Sequence, residues 1–228
     1  MKSELLGLAR GLRRRLEQAP PPFAAAKTPR DKAARLDEIA RAIESCRLCA
    51  LSATRLKAVP GIGSPDAAVM FVGEGPGFEE NRRGEPFVGR AGELLDKILA
   101  SIGLSRRTVY IANMVKCRPM KDPRTPEARG NDRPPSPEEL SACRPHIEAQ
   151  ARVIEPRFIV ALGAVAARAL LQTEAPISRL RGQWQDIQFG GRTVKLLPTY
   201  HPAALLRNPD LKKDVWTDMK ALKKALCE

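Results

Sequence analysis

Aromatic residues and histidines are scarce in this sequence, and long apolar runs are missing. Phenylalanine, tryptophan and tyrosine account for 4% of the 228 residues, and only two residues are histidines. The apolar runs are no longer than a strand and too short to cross a bilayer, so we expect no contact with a membrane. Because aromatic and imidazole rings are so few, each one that falls in a predicted loop is a candidate functional residue.

Basic residues, by contrast, are in excess. The 39 lysines and arginines outnumber the 26 aspartates and glutamates, which gives a net charge of +13. This balance favours a polyanionic partner, nucleic acid above all. The alternative is that the protein is basic only because it comes from a GC-rich genome. The length suits one medium α/β domain with appendages.

Residues 1–35 carry nearly half of this excess, with nine basic and three acidic residues. Leucines recur there at helical spacing, and a run of prolines near residue 21 predicts an extended linker. We expect residues 1–30 to form a basic arm beside a domain that spans residues 31–228. The arm lacks the continuous apolar core of a secretory signal. We therefore expect a cytoplasmic, nucleoid-associated protein, with an organellar presequence as the alternative.

Strand-like apolar runs alternate with amphipathic helical segments along the chain. Val69–Val72, Val109–Ala112 and Phe158–Leu162 are predicted to be buried strands, and a hairpin around Gly190 returns as a last strand. Helices are predicted between and after them, as well as over residues 31–45. The alternation predicts an α/β fold, a three-layer α/β/α sandwich with a central, mainly parallel four-stranded sheet.

Four of the five cysteines have spacings typical of a metal site. Cys46 and Cys49 form a close pair, and Cys117 and Cys143 each begin a Cys-Arg-Pro tripeptide. Structural zinc usually takes two close pairs, so one pair with two distant single cysteines fits an iron–sulfur cluster better. The alternative interpretation is a set of buried free thiols.

Polar and aromatic residues follow three of the predicted strands. Because the carboxyl ends of parallel strands share one edge of a sheet, these loops should meet there. Each residue alone also has an ordinary explanation: a core phenylalanine, a turn-forming asparagine, a histidine that caps a helix, or a solvated carboxylate. Together they suit a flat heterocycle with a donor–acceptor edge, such as a pyrimidine. The residues are Glu74, Glu80, Phe87, Asn113 and His201.

Five motifs in unbroken order resemble those of family 4 uracil-DNA glycosylases. They are Gly73–Gly77, Pro86–Gly89, Asn113 with Val115–Pro119, Leu162–Ala164 and His201–Arg207. The resemblance implies a [4Fe–4S] cluster held by the four cysteines at 46, 49, 117 and 143. It also implies a monofunctional enzyme that flips uracil out of DNA, hydrolyses its N-glycosidic bond and leaves an abasic site in base excision repair.

The resemblance implies a role for each matching residue. Phe87 would stack on the flipped uracil, Asn113 would pair with its O4/N3 edge, and the backbone at Gly75 would contact the base. His201 would donate to uracil O2, Glu74 would orient the attacking water, and Glu80 would exclude the thymine methyl group. Leu205, Leu206 and Arg207 would form a wedge that fills the gap in the DNA and meets phosphate.

Two other functions remain open from the sequence alone. The chain could be a non-catalytic DNA-binding module, or a polymerase-associated relative whose basic arm docks on a repair or replication protein. The glycosylase would bind uracil-containing DNA, and the two alternatives would also bind DNA. We expect a monomer.

Overall fold

The computed structural model describes residues 28–228. All but three residues of the predicted basic arm 1–30 therefore lie outside the described residues. Within them, helix α1 (Pro29–Ser45) begins two residues before the predicted start at residue 31, because the Thr28 side chain caps it by accepting a hydrogen bond from the Asp31 N–H at 3.2 Å. No helix among residues 28–228 is long and apolar enough to span a membrane.

The core of the fold is a sheet of six strands, which are β1 (Ile62–Gly63), β2 (Val69–Gly73), β3 (Tyr110–Asn113), β4 (Phe158–Leu162), β5 (Gln185–Phe189) and β6 (Arg192–Thr199). Their order in the sheet is β1-β3-β2-β4-β6-β5. Strands β3, β2, β4 and β6 are parallel. They correspond to the four predicted strands.

The predicted count of four strands is too low, because two antiparallel strands border the parallel core. Strand β1 has only two residues and pairs with β3, so it leaves no recognisable pattern in the sequence. Strand β5 is the outgoing arm of the predicted hairpin and pairs with β6 along its whole length. The sheet is therefore mainly parallel with antiparallel edges.

Helices cover both faces of the sheet. Alternate residues of β2 point to opposite sides, so Met70 and Val72 join one core cluster, and Val69 and Phe71 join the other. The helices after α1 are α2 (Phe78–Arg83), α3 (Arg90–Ser101), α4 (Pro137–Ile154), α5 (Ala164–Leu171), α6 (Ile177–Leu180), α7 (Pro202–Arg207) and α8 (Lys212–Cys227). The result is the predicted α/β/α sandwich.

Helix α4 matters for the site because it carries one of the four cysteines. It begins with a capping box, in which the Ser136 hydroxyl accepts from the Glu139 N–H and the Glu139 carboxylate accepts from the Ser136 N–H. Two guanidinium nitrogens of Arg133 bind the same carboxylate at 2.7 and 2.8 Å. The start of α4 is thereby attached to the end of the preceding loop.

Candidate functional site

The loops that follow β2, β3 and β6 open onto one cavity of about 620 Å³. The structure thus brings together side chains that lie far apart in the sequence, as expected for loops at one edge of a parallel sheet. The predicted residues that line the cavity are Glu74, Gly75, Glu80, Phe87, Asn113, His201 and Arg207.

Phe87 forms one wall of the cavity and has an unusual backbone. Its φ of 55° is in the left-handed region, which non-glycine residues seldom adopt. Arg106 stabilises this turn from outside, because its Nη1 donates to the Pro86 carbonyl at 3.0 Å and its Nη2 donates to the Phe87 carbonyl. Gly92 lies directly beneath that carbonyl, where a Cβ atom would overlap with it.

Asn113 is the last residue of β3 and is only 2% exposed. The parallel register pairs it with Gly73 at the end of β2. A Cβ atom on Gly73 would lie 2.6 Å from Cζ of Phe87 and closer still to Oδ1 of Asn113. The glycine therefore allows the aromatic ring and the amide to approach each other across the strand end.

His201 caps helix α7 and has a defined tautomer. Its Nδ1 accepts a hydrogen bond from the Ala203 N–H at 3.1 Å. Burial, and then the positive charge of Arg207, lower the pKa of this imidazole to about 4. The ring is therefore neutral at pH 7 and carries its proton on Nε2. Gly163, with φ of 93°, gives the histidine room, since a Cβ there would be 2.9 Å from Cβ of His201.

The imidazole of His201 stacks on Phe87, with 5.5 Å between the ring centroids and 27° between the planes. The arrangement combines a planar apolar surface with a neutral N–H donor. It can bind a flat ring and stabilise negative charge that develops on one of its oxygens.

The two carboxylates in the cavity differ in their surroundings. Burial raises the pKa of Glu74, which suits a group that binds or activates water. Glu80 instead accepts hydrogen bonds from three backbone N–H groups, those of Gly77 at 3.1 Å, Val88 at 3.0 Å and Gly89 at 3.3 Å. Its carboxylate connects the glycine-rich turn to the loop that carries the phenylalanine.

The predicted wedge residues do not all face solvent. Leu205 is 2% exposed and belongs to the core cluster beneath α7, whereas Leu206 is 41% exposed. Successive residues of a helix lie about 100° apart, so neighbours on a six-residue helix face different ways. The prediction that Leu205 contacts DNA is therefore wrong, and Leu206 and Arg207 are the exposed members of the motif.

The four predicted metal-binding cysteines line a second, much smaller cavity of about 10 Å³. Cys46 and Cys49 follow α1, Cys117 follows β3, and Cys143 lies on α4, so the cavity joins three distant segments. None of the four forms a disulfide. Within residues 28–228, no three histidine, cysteine, aspartate or glutamate side chains are placed so that they could hold a single metal ion.

Hydrogen-bond donors approach three of the four sulfur atoms. Such donors stabilise thiolates and sulfur-bound metals, so the cavity fits an anionic sulfur-ligated group. The donors are Arg55 Nη1 to Cys117 at 3.0 Å, Lys116 N to Cys143 at 3.2 Å, and Leu48 N to Cys46 at 3.5 Å. In addition, Nε2 of His146 lies 3.3 Å from the Cys46 sulfur.

Three cationic residues around the two cavities were not predicted from the sequence. Arg106 and Arg55 donate hydrogen bonds mainly to backbone carbonyls, and Arg55 also donates to one cysteine sulfur. The spacing of residues in the sequence does not reveal contacts of this kind. Lys116 is only 1% exposed, although lysines are rarely buried. Its position immediately before Cys117 in a cysteine-containing motif was the one available signal.

Comparisons with known proteins agree with this architecture. The family model described as "Uracil DNA glycosylase superfamily" matches residues 60–222. The chain is 42% identical over 191 residues to the type-4 uracil-DNA glycosylase of Archaeoglobus fulgidus, a match that covers 82% of this chain and 91% of the relative. The corresponding enzyme of Thermotoga maritima is 40% identical, with 82% and 93% covered. That of Saccharolobus solfataricus is 39% identical, with 84% and 86% covered. Both the matched length and the level of identity place this chain in the type-4 family of the uracil-DNA glycosylase superfamily.

Proposed function

We propose that this protein removes uracil from DNA by hydrolysing the N-glycosidic bond, which leaves an abasic site for base excision repair. One observation carries the proposal: a planar ring, a buried carboxamide and a neutral imidazole N–H line the same cavity. A pyrimidine extruded from the DNA stack needs these three kinds of contact.

In this proposal Phe87 and Asn113 recognise the base. The ring of Phe87 stacks on the flipped uracil, and the amide of Asn113 pairs with the O4/N3 edge. Cytosine has the opposite donor–acceptor pattern on that edge, so an amide held in one orientation rejects it. The burial of Asn113 and its position beside Gly73 support such a fixed orientation. The backbone at Gly75 completes the contact with the base.

His201 supplies the main stabilisation of the transition state. Uracil leaves as an anion, and Nε2–H of the neutral imidazole donates to O2 as the charge develops there. Because the hydrogen bond strengthens as the bond breaks, it stabilises the transition state more than the bound substrate. Removal of one such donor typically lowers the rate on the order of 10²–10³-fold.

Glu74 orients the water that attacks the sugar, and Glu80 keeps the cavity in shape. The raised pKa of Glu74 supports its assignment as the water-binding carboxylate. The three backbone N–H groups that bind Glu80 hold its carboxylate in place, and this supports a role in which the carboxylate narrows the cavity near C5 of the base and so excludes thymine.

We expect no side chain to trap the sugar covalently. The loop 118–135 contains no histidine, and the second histidine of the chain, His146, lies beside Cys46. The expected product is a free abasic site.

Leu206 and Arg207 contact the DNA in this proposal. The exposed leucine fills the space left by the extruded nucleotide, and the neighbouring guanidinium binds phosphate. We propose that the protein acts as a monomer on DNA of the nucleoid, in the cytoplasm. The basic arm 1–30 would then bind a repair or replication protein.

Cys46, Cys49, Cys117 and Cys143 would hold a [4Fe–4S] cluster. The cavity that they share, and the hydrogen-bond donors around their sulfurs, support this ligand set. The cluster would supply a structural crosslink between α1, the loop after β3 and α4. Because Cys117 lies only four residues after Asn113, the last residue of β3, this crosslink would also position the base-binding amide.

A substrate panel tests the proposed function. Oligonucleotides with U:G, U:A, single-stranded U and T:G are incubated with the purified protein, and free base and abasic sites are measured. We expect uracil release from the uracil-containing substrates and none from T:G. Absence of free uracil at a large excess of enzyme would instead favour a non-catalytic DNA-binding module. A protein–DNA band that resists denaturation would contradict the free abasic product.

A further inference from the structure

Two cations beside the cysteine cavity, the buried Lys116 and the partly exposed Arg55, have no carboxylate partner among the described residues. Lys116 is 1% exposed, and its Nζ donates to Oε1 of Gln150 at 2.7 Å. Gln150 is itself fully buried, and its Nε2 donates to the Pro60 carbonyl at 2.8 Å and to the Tyr110 hydroxyl at 3.1 Å. The amide is therefore fixed with its oxygen towards the lysine. Within residues 28–228, no aspartate or glutamate forms an ion pair with Lys116.

Arg55 is the second cation. Its Nη1 donates to the Cys117 sulfur at 3.0 Å and to the Ile43 carbonyl at 3.3 Å. Its Nη2 donates to the carbonyls of Cys46 at 3.2 Å and of Glu44. Among the described residues, the guanidinium is bound only by neutral carbonyls and by a cysteine sulfur.

The wall of the cavity contains no acidic residue that could balance these charges. Its eleven residues include the four cysteines, Arg55 and Lys116, but no aspartate or glutamate. A buried charge is costly unless an opposite charge compensates it. On the wall of this cavity, the four cysteines and the group that they bind are therefore the remaining source of negative charge.

We propose that Lys116 and Arg55 are the counter-charges of the cysteine-bound cluster and that they raise its reduction potential. The inference rests on the proposed [4Fe–4S] cluster. A cubane core with two positive charges and four thiolates has two negative charges in total, which the two cations balance. Reduction adds a further negative charge, and nearby cations favour the reduced form, so their removal lowers the potential.

The position of Lys116 makes it the more informative residue. Its backbone N–H donates to the Cys143 sulfur at 3.2 Å, while its side chain extends into the buried network of Gln150 and Tyr110. One residue thus contributes a hydrogen bond and a charge to the same cavity. Substitution of the side chain removes the charge and leaves the backbone hydrogen bond in place.

The test compares Lys116→Met, Arg55→Gln and a control, Lys57→Met, in the full-length holoprotein purified without oxygen. Methionine keeps the length of the lysine side chain, and glutamine keeps an amide donor at position 55. Lys57 is exposed and does not line the cysteine cavity, so it controls for the loss of one positive charge in the same segment. Iron and sulfide per chain are measured first, and the midpoint potential is then obtained by redox titration with electron paramagnetic resonance.

We expect lower midpoint potentials in Lys116→Met and Arg55→Gln, together with faster loss of iron in air, and wild-type values in Lys57→Met. Full clusters with the wild-type potential in both variants would overturn the proposal. If Lys116→Met yields no folded protein, Arg55→Gln decides by the same criterion. A wild-type protein that binds no iron or sulfide would instead refute the cluster itself, so the two failures are distinguishable.

Discussion

Substitution of Gly73 by alanine tests whether the cavity depends on the close approach of Phe87 and Asn113. Gly73 does not have a positive φ, so alanine can adopt the same backbone conformation. The new Cβ would lie 2.6 Å and 2.9 Å from two ring atoms of Phe87, whereas ordinary contacts begin at 3.4 Å. The ring must therefore move by about 0.8 Å, and the amide oxygen of Asn113 must move further. A displacement of about 1 Å in a reacting complex can lower the rate about 10²-fold.

We expect Gly73→Ala to reduce kcat/KM for uracil release from a U:G oligonucleotide by about 10²-fold. The free energy of unfolding should fall by only about 1–3 kcal/mol, which is typical of one added methyl group in a packed region. Single-turnover kinetics give the first quantity, and chemical denaturation gives the second. Iron content should stay at the wild-type value, because the cysteine cavity is formed by other segments.

Gly89→Ala is the matched comparison, since this glycine lies in the neighbouring motif and also lines the cavity. Its φ is −93°, and the nearest atom to an added Cβ is 3.6 Å away, so the methyl group has room. We expect a far smaller loss of activity than for Gly73→Ala. The reasoning is refuted if Gly73→Ala retains activity within a few-fold of the wild type, or if both variants are impaired equally.

Three further predictions concern single residues of the site. Folding lowers the pKa of His201 from 6.5 to about 4, so between these two pH values the unfolded chain binds a proton at this residue and the folded protein does not. The free energy of unfolding therefore falls as the pH drops from 6.5 to about 4. The loss is about 3 kcal/mol at most, and it should be missing from the pH dependence of the free energy of unfolding in His201→Gln. Asn113→Asp should shift excision towards cytosine, measured on C:G and U:G oligonucleotides, and unchanged selectivity would contradict the assigned edge contact. Arg106→Met should raise KM and lower kcat for uracil release, because two carbonyls at Pro86 and Phe87 lose their donor. The exposed neighbour Arg107→Met is its control, and equal effects would exclude a specific role for Arg106.

Most of the fold could be predicted because its signals are local. Continuous apolar runs mark the parallel strands, and Ser136 with Glu139 marks the start of a helix by a mechanism that involves four residues. The two-residue strand β1 has no such signal, because its pairing with Ile111 depends on the tertiary structure. The sequence therefore predicts the parallel centre of the sheet better than its edges.

The site was predictable to the extent that parallel strands bring their following loops to one edge. Hydrogen bonds between side chains and distant backbone groups were not predictable from the sequence. The roles of the side chains that make these bonds were therefore not predictable either. Glu80 binds three amides that lie between three and nine residues away, and Arg106 binds carbonyls about twenty residues earlier. Leu205 was misassigned because a helix of six residues is too short for its pattern to show which side is buried.

The hydrogen bond from Ala203 to Nδ1 has a consequence for the fate of the departing base. Since Nδ1 accepts this bond, the only proton of the neutral ring is on Nε2, and its transfer to the base would leave an imidazolate, a much stronger base than the uracil anion. His201 therefore polarises the base without transferring a proton to it, and uracil becomes neutral only once water reaches it. Free uracil should then inhibit the enzyme more strongly in alkaline solution, where the base is already anionic when it enters.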